Sequence, residues 1–192
     1  MDTLPSSTSA LLLMDFQAGI VDGFAPDREA LLARTSELLR AARAAKLRVI
    51  YVVVGFRAGY PEVSERNQSF RAIRQTGRFT AGDPGAPVHA ALAPADGEVV
   101  VTKHRVSAFA GTDLDMVLRA AGVDTLVLAG IATSGVVLST VRHAADADYR
   151  LVVVGDCCAD RDPEVHRVLV DKVFPRQATV ADSRAVIAAL AK

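Results

Sequence analysis

Cysteine is nearly absent from this chain: there are two, Cys157 and Cys158, side by side. Neighbouring cysteines build no disulfide framework, and they lack the spacing of a metal-binding motif. An excess of charge of one sign is missing too, since Lys plus Arg and Asp plus Glu number 22 each. Without a basic face or an acidic tail, neither nucleic acid nor an anionic membrane is expected as a partner. No apolar run approaches the ~20 residues that span a bilayer. Residues 1–9 contain no basic stretch leading into an apolar one, so no signal peptide is expected, and they read as a disordered tail. No internal repeat or low-complexity linker divides the chain. These absences leave a cytoplasmic, soluble protein with one domain over residues 1–192.

What is present is apolar. Hydrophobic residues make up 51% of the chain, enough for a substantial core. The organising stretch runs from Asp124 to Val136. Leu126 to Ala129 is a continuous apolar run, too short for a helix, and reads as a strand buried on both faces. It stops at Gly130, and a helical pattern starts by Val136 and continues to about Ala147. A buried strand that breaks at a glycine and turns into a helix is half of a βαβ unit. Ligands sit at the strand's carboxyl end in such units, where helix amino ends present free N–H groups.

The same rhythm recurs along the chain. Ala10 to Asp15 is a first strand, and Phe16 to Pro26 reads as loop. A helical stripe follows from Asp27 to Ala45, then a β-branched strand from Leu47 to Val54. Gly55 to Gly97 is the least regular part and holds six of the 13 glycines, the mark of a functional or oligomer-forming excursion. Glu98 to Lys103 is a third strand. Thr112 and Asp115 resemble a capping box for a helix to about Ala121. Tyr149 to Val154 is a fifth strand, Asp162-Pro163 opens a helix, and Ala178 to Val180 and Ser183 to Leu190 supply a last strand and helix. Alternation of this kind demands an α/β fold, a mostly parallel sheet covered by helices on both faces.

In a parallel sheet all strands end on one edge. Asp15, Lys103 and the turn from Gly130 to Thr133 are therefore delivered to one rim. A carboxylate, an ammonium and turn N–H groups together can move a proton and stabilise a developing negative charge.

Leu13-Met14-Asp15-Phe16-Gln17, Val100-Val101-Thr102-Lys103 and Gly130-Ile131-Ala132-Thr133, in this order, resemble the isochorismatase-like hydrolase superfamily, also called the cysteine hydrolases. Arg105 to Phe109, Gly111-Thr112, Leu118-Arg119, Arg142, Ala144, Tyr149 and Asp156 fit the same pattern. The resemblance implies a three-layer, Rossmann-like fold with six parallel strands in the order 3-2-1-4-5-6. It implies Asp15 and Lys103 as catalytic carboxylate and lysine. It also implies a non-proline cis peptide between Ile131 and Ala132, with Ala132 and Thr133 supplying oxyanion-stabilising amides. Dimers or larger homo-oligomers are expected.

Two departures matter. In the amidase members a nucleophilic cysteine stands six residues after the glycine, and here that position is Val136. A valine cannot attack a carbonyl, so no thioester can form there. Isochorismatases proper manage without the cysteine: a carboxylic acid protonates a vinyl ether and water completes the cleavage. Asp15 would then have to be protonated, which Lys103 opposes and burial favours. Nicotinamidase-like members carry Asp-x-His after the second strand, whereas this chain has Gly55-Phe56-Arg57. No metal and no other cofactor is expected, and Arg57 suggests anion binding.

Phe16, Gln17, Arg57, Phe109 and Ser134 are the further candidates for a substrate pocket, although Ser134 reads better as a cap of the following helix. Cys157 and Cys158 follow the fifth strand and read as small buried residues rather than reactive thiols. The expected function is hydrolysis of a small anionic metabolite through Asp15 and Lys103. The alternative is a ligand-binding or scaffold protein that keeps the fold without the chemistry.

Overall fold

The computed structural model describes residues 3–190. Among them six strands form one sheet: β1 (Ser9–Met14), β2 (Arg48–Val54), β3 (Val99–Lys103), β4 (Thr125–Ile131), β5 (Arg150–Ala159) and β6 (Thr179–Ala181). All neighbours pair in parallel, in the order β3-β2-β1-β4-β5-β6. The helices are α1 (Ala18–Phe24), α2 (Arg28–Ala44), α3 (Gln68–Thr76), α4 (Leu114–Ala120), α5 (Leu138–Asp146), α6 (Pro163–Val168) and α7 (Ser183–Leu190).

The two central strands, β1 and β4, are buried along their whole length. Alternation along β1 splits its side chains between two cores. Leu11 and Leu13 pack with residues of α1, α2 and α7, and Leu12 and Met14 with residues of α4 and α5. Each leucine withdrawn from water contributes about 1.5–3 kcal/mol, which is why a sheet apolar on both faces must be sandwiched between helix layers. Helix starts are fixed locally. Asp27 accepts from the Ala30 N–H at 3.4 Å to cap α2. Asp162 accepts from the Glu164 and Val165 amides at the start of α6, with Pro163 in the first turn.

Several expected boundaries shift. The stretch after β1 is not all loop, because α1 forms there. Gly19 and Gly23 weaken its helical signal, and burial of Ile20 and Val21 in the core overrides that weakness. Inside the irregular excursion, Asn67 caps α3 by accepting from the Phe70 N–H at 3.1 Å, and Gly77 ends it at φ 69°. β5 extends past Val154 to Ala159, with a register shift that pairs Cys158 with Gly130. Thr112 accepts from the Leu114 N–H at 3.3 Å, but Asp115 does not close a capping box and instead pairs with Arg119 at 2.8 Å. The expected tail does not reach Ser9, which opens β1 and is fully buried. Nor does it include Leu4, which is also buried and whose N–H donates to the Ala189 carbonyl at 3.4 Å. Residues 1 and 2 of that tail lie outside the described residues. No helix among the described residues is long and apolar enough to cross a membrane.

Candidate active site

The carboxyl edge of the sheet brings Asp15 and Lys103 together across β2, which lies between their strands. Lys103 Nζ is 2.9 Å from Asp15 Oδ2, and the side chains are only 4% and 8% exposed. Nζ also donates to the Arg105 carbonyl at 3.2 Å. The second carboxylate oxygen, Asp15 Oδ1, is buried and accepts no hydrogen bond. Burial pushes the Asp15 carboxyl above its ordinary value, outweighing the downward pull of Lys103. Asp15 also has a φ of 58°, a left-handed conformation that costs a non-glycine residue roughly 1–2 kcal/mol. Its N–H donates to the Val52 carbonyl at 2.8 Å, which ties this first residue beyond β1 to the neighbouring strand.

The turn after β4 completes the rim. The Ile131–Ala132 peptide bond is cis. A π-type turn, Thr133–Val137, follows, with Gly135 outside helical geometry at φ −97° and ψ −105°, and leads into α5. Gly130 is required by close approach, since a Cβ there would lie 2.9 Å from the Met14 carbonyl oxygen. Thr133 is fully buried, and its Oγ1 lies 2.8 Å from Nδ1 of His166. Burial lowers the His166 pKa. Ser134 donates from both its N–H and its Oγ to Asp160 Oδ2, each at 2.7 Å.

A cavity of about 370 Å³ is lined by Asp15, Lys103, Ile131, Ala132, Gly135 and Val136, while Thr133 and Ser134 lie outside its lining. Ile20 and Phe24 of α1 and Phe70 and Ile73 of α3 add apolar wall, and Arg78 and Arg161 add two guanidinium groups. A larger groove of about 610 Å³ lies near the amino end of β4 and has no carboxylate side chain in its lining. The 370 Å³ cavity thus joins a buried acid–base pair to a mostly apolar wall and extra positive charge, the ordinary make-up of a small-molecule site.

Four of the expected pocket residues are elsewhere, and Ser134, outside the cavity lining, caps no helix either, because its N–H and Oγ both go to Asp160. Gln17 is a clamp: its Nε2 donates to the Val54 and Ala86 carbonyls at 2.9 and 2.6 Å, and its Oε1 accepts from the Val54 N–H at 2.8 Å. A side-chain amide matches a peptide group, so it is consumed by backbone pairing. Phe16 is 1% exposed in the core. Phe109 stacks on His143 with centroids 4.5 Å apart, on the α4–α5 side. Arg57 is 73% exposed and pairs with Glu62 at 2.5 Å, outside the cavity lining. Cys157 and Cys158 lie within β5 in opposite core layers, and burial pushes the Cys157 thiol up to about 12 and the Cys158 thiol higher still. Among the described residues no group of three or more His, Cys, Asp or Glu side chains could hold a metal ion.

The groups missed from sequence are Arg78, Arg161, His166 and Asp160. Asp160 and Arg161 follow β5 directly, so placing that strand's end correctly would have brought them to the rim. Nothing local marks Arg78.

Residues 9–185 match the isochorismatase domain. The chain belongs to the isochorismatase family. It is 31% identical over 194 residues to the isochorismatase family protein YecD of Escherichia coli O157:H7, covering 97% of this chain and 98% of that one. It is 33% identical over 161 residues to the maleamate amidohydrolase of Pseudomonas putida, covering 82% and 75%. A solved isochorismatase family protein from Burkholderia thailandensis superposes with a TM-score of 0.85 at 34% identity, covering both chains fully. Domain and relatives together make the chain an isochorismatase-family hydrolase.

Proposed function

We propose that this isochorismatase-family member hydrolyses a small anionic metabolite through Asp15 and Lys103 without a covalent thioester. The observation that carries this reading is the 2.9 Å Lys103–Asp15 pair lining the cavity beside Val136. With valine in the wall, the chemistry falls to the carboxyl group. Burial raises its proton affinity, which suits a general acid that protonates the leaving atom, and the resulting carboxylate is then balanced by Lys103. The same carboxylate can next take a proton from the attacking water. Because the Ser134 N–H is engaged by Asp160, the amides of Ala132 and Thr133 are the turn donors assigned to a developing oxyanion. Lys103, Arg78 and Arg161 favour a negatively charged substrate.

The test is a panel of small esters, amides and enol ethers, including the maleamate on which the Pseudomonas putida relative acts by name. Asp15→Asn should lower kcat by about 10²–10⁴ on any substrate the wild type turns over. A variant that keeps full turnover ends the proposal. If a proton held by Asp15 drives the rate, kcat falls as pH rises through the raised folded pKa, and a rate that climbs across that range contradicts the acid role. Val136 also supports a second reading, a binding protein of the same fold, for which the panel would give tight ligands and no hydrolysis. In either case the protein is taken as cytoplasmic, cofactor-free and self-associating.

A further inference from the structure

Arg78 has an unusual seat. Its Nε donates to Asp83 Oδ2 at 3.0 Å, and Asp83 is itself anchored by the Phe79 and Gly85 amides at 2.6 and 2.8 Å. The guanidinium carbon lies 5.2 Å from the centroid of the Phe79 ring. The terminal nitrogen Nη2 occupies a slot between two glycines. A Cβ on Gly19 would come within 1.9 Å of it, and one on Gly85 within 2.5 Å. Gly19 N–H donates to the Gly85 carbonyl at 3.1 Å, so backbone holds the two walls of the slot together. Among the described residues neither terminal nitrogen of Arg78 donates a hydrogen bond to a protein acceptor, yet the residue lines the cavity that holds Asp15 and Lys103.

A guanidinium fixed through Nε, stacked on a ring and left with its outer N–H groups free is prepared for a planar anion. Arg161, the other guanidinium of the cavity, is exposed, lies 4.4 Å from the Phe24 centroid and donates to the Gly23 carbonyl at 3.3 Å. It is less confined than Arg78 and has no slot built around it. We infer that Arg78 is the specificity-determining residue that receives the carboxylate of the substrate, while the substrate's apolar body lies along Phe70 and Ile73 toward Asp15. The substrate class is then a small monocarboxylate with an apolar portion. This inference rests on the reading of the cavity as the substrate site.

The experiment measures binding rather than turnover. Phenylacetate and its neutral counterpart phenylacetamide are titrated calorimetrically into wild type, Arg78→Ala, Arg78→Lys, Gly19→Ala, Arg161→Ala and Arg57→Ala, each checked for an intact thermal transition. Wild type should prefer the carboxylate by about tenfold or more, the size of one charge-assisted pair. Arg78→Ala should abolish the preference and leave phenylacetamide binding unchanged. Gly19→Ala, which keeps the arginine but fills its slot, should weaken it. Arg78→Lys should restore it in part. Arg57→Ala should match wild type, because that arginine is outside the cavity. A preference that survives Arg78→Ala, or is lost only with Arg161→Ala, or is absent from wild type, overturns the assignment. Asp15→Asn, assayed for turnover alongside, separates the two ideas. If it kills hydrolysis while the carboxylate preference ignores Arg78, the hydrolase reading stands and only the Arg78 assignment fails.

Discussion

Replacing Lys103 by Met would remove the charge facing Asp15 while keeping a flexible apolar side chain. The two side chains are 4% and 8% exposed at a separation of 2.9 Å. An exposed pair contributes about 0–1 kcal/mol, but removing one partner of a buried pair costs about 3–5 kcal/mol. Coulomb's law gives a similar size, since unit charges about 3–4 Å apart at an effective dielectric near 20 attract by roughly 4–6 kcal/mol. The full cost applies only while Asp15 is ionised. Its carboxyl already binds a proton more strongly than usual, and Lys103 is the main influence holding it down. In Lys103→Met it rises further. A carboxyl with a raised folded pKa contributes fully below the unfolded value of about 3.9, and that contribution is lost as pH rises through the folded pKa. Lys103→Met should therefore lose stability more steeply than wild type as pH is raised from about 4 to 8. Urea unfolding followed by circular dichroism at several pH values, with Asp15→Asn and the double variant, measures this. At the high end the double variant should cost less than the sum of the singles by roughly 2–3 kcal/mol. A coupling below about 0.5 kcal/mol, or a Lys103→Met cost indifferent to pH, would refute the reasoning.

Three further outcomes are expected. Cys157 and Cys158 should alkylate on the order of a hundredfold more slowly in the native protein than in denaturant, while Val136→Cys adds a thiol that labels ahead of them; equal native and denatured rates would contradict the burial described. Gly130→Ala should cost about 1–3 kcal/mol, because its Cβ would press on Met14, and lower Tm by about 2–4 °C per kcal/mol; an unchanged melting curve would show that β1 and β4 can separate freely. Light scattering should return a multiple of 20.3 kDa, and a mass of one chain would remove self-association.

The strands were readable because strands buried on both faces are written as short apolar runs. Leu11 to Met14 and Leu126 to Ala129 could be little else, and their alternation with helical stripes required a parallel sheet. Helix α1 escaped because its evidence is not local: Ile20 and Val21 stabilise it only by meeting a core assembled from distant segments. The excursion hid α3 for the same reason, with Phe70 as its only fully buried residue.

The site divides along the same line. Asp15, Lys103 and the Gly130–Thr133 turn were found from sequence because each ends a strand, and a parallel sheet gathers its strand ends on one edge. Side chains in the loops obey no such rule. Gln17 stands two residues beyond Asp15, yet its amide is taken by Val54 and Ala86. Arg57 comes straight after β2 and points its charge at Glu62, whereas Arg78, deep in the irregular stretch, reaches the cavity. Periodicity therefore made the parallel α/β sheet and the shared rim of Asp15 and Lys103 legible, while the strand order and the roles of the pair came from the resemblance to the family. Which arginine is held at the cavity was decided only when Gly19 and Gly85 met in space, because a slot between two backbones exists in no single stretch of chain.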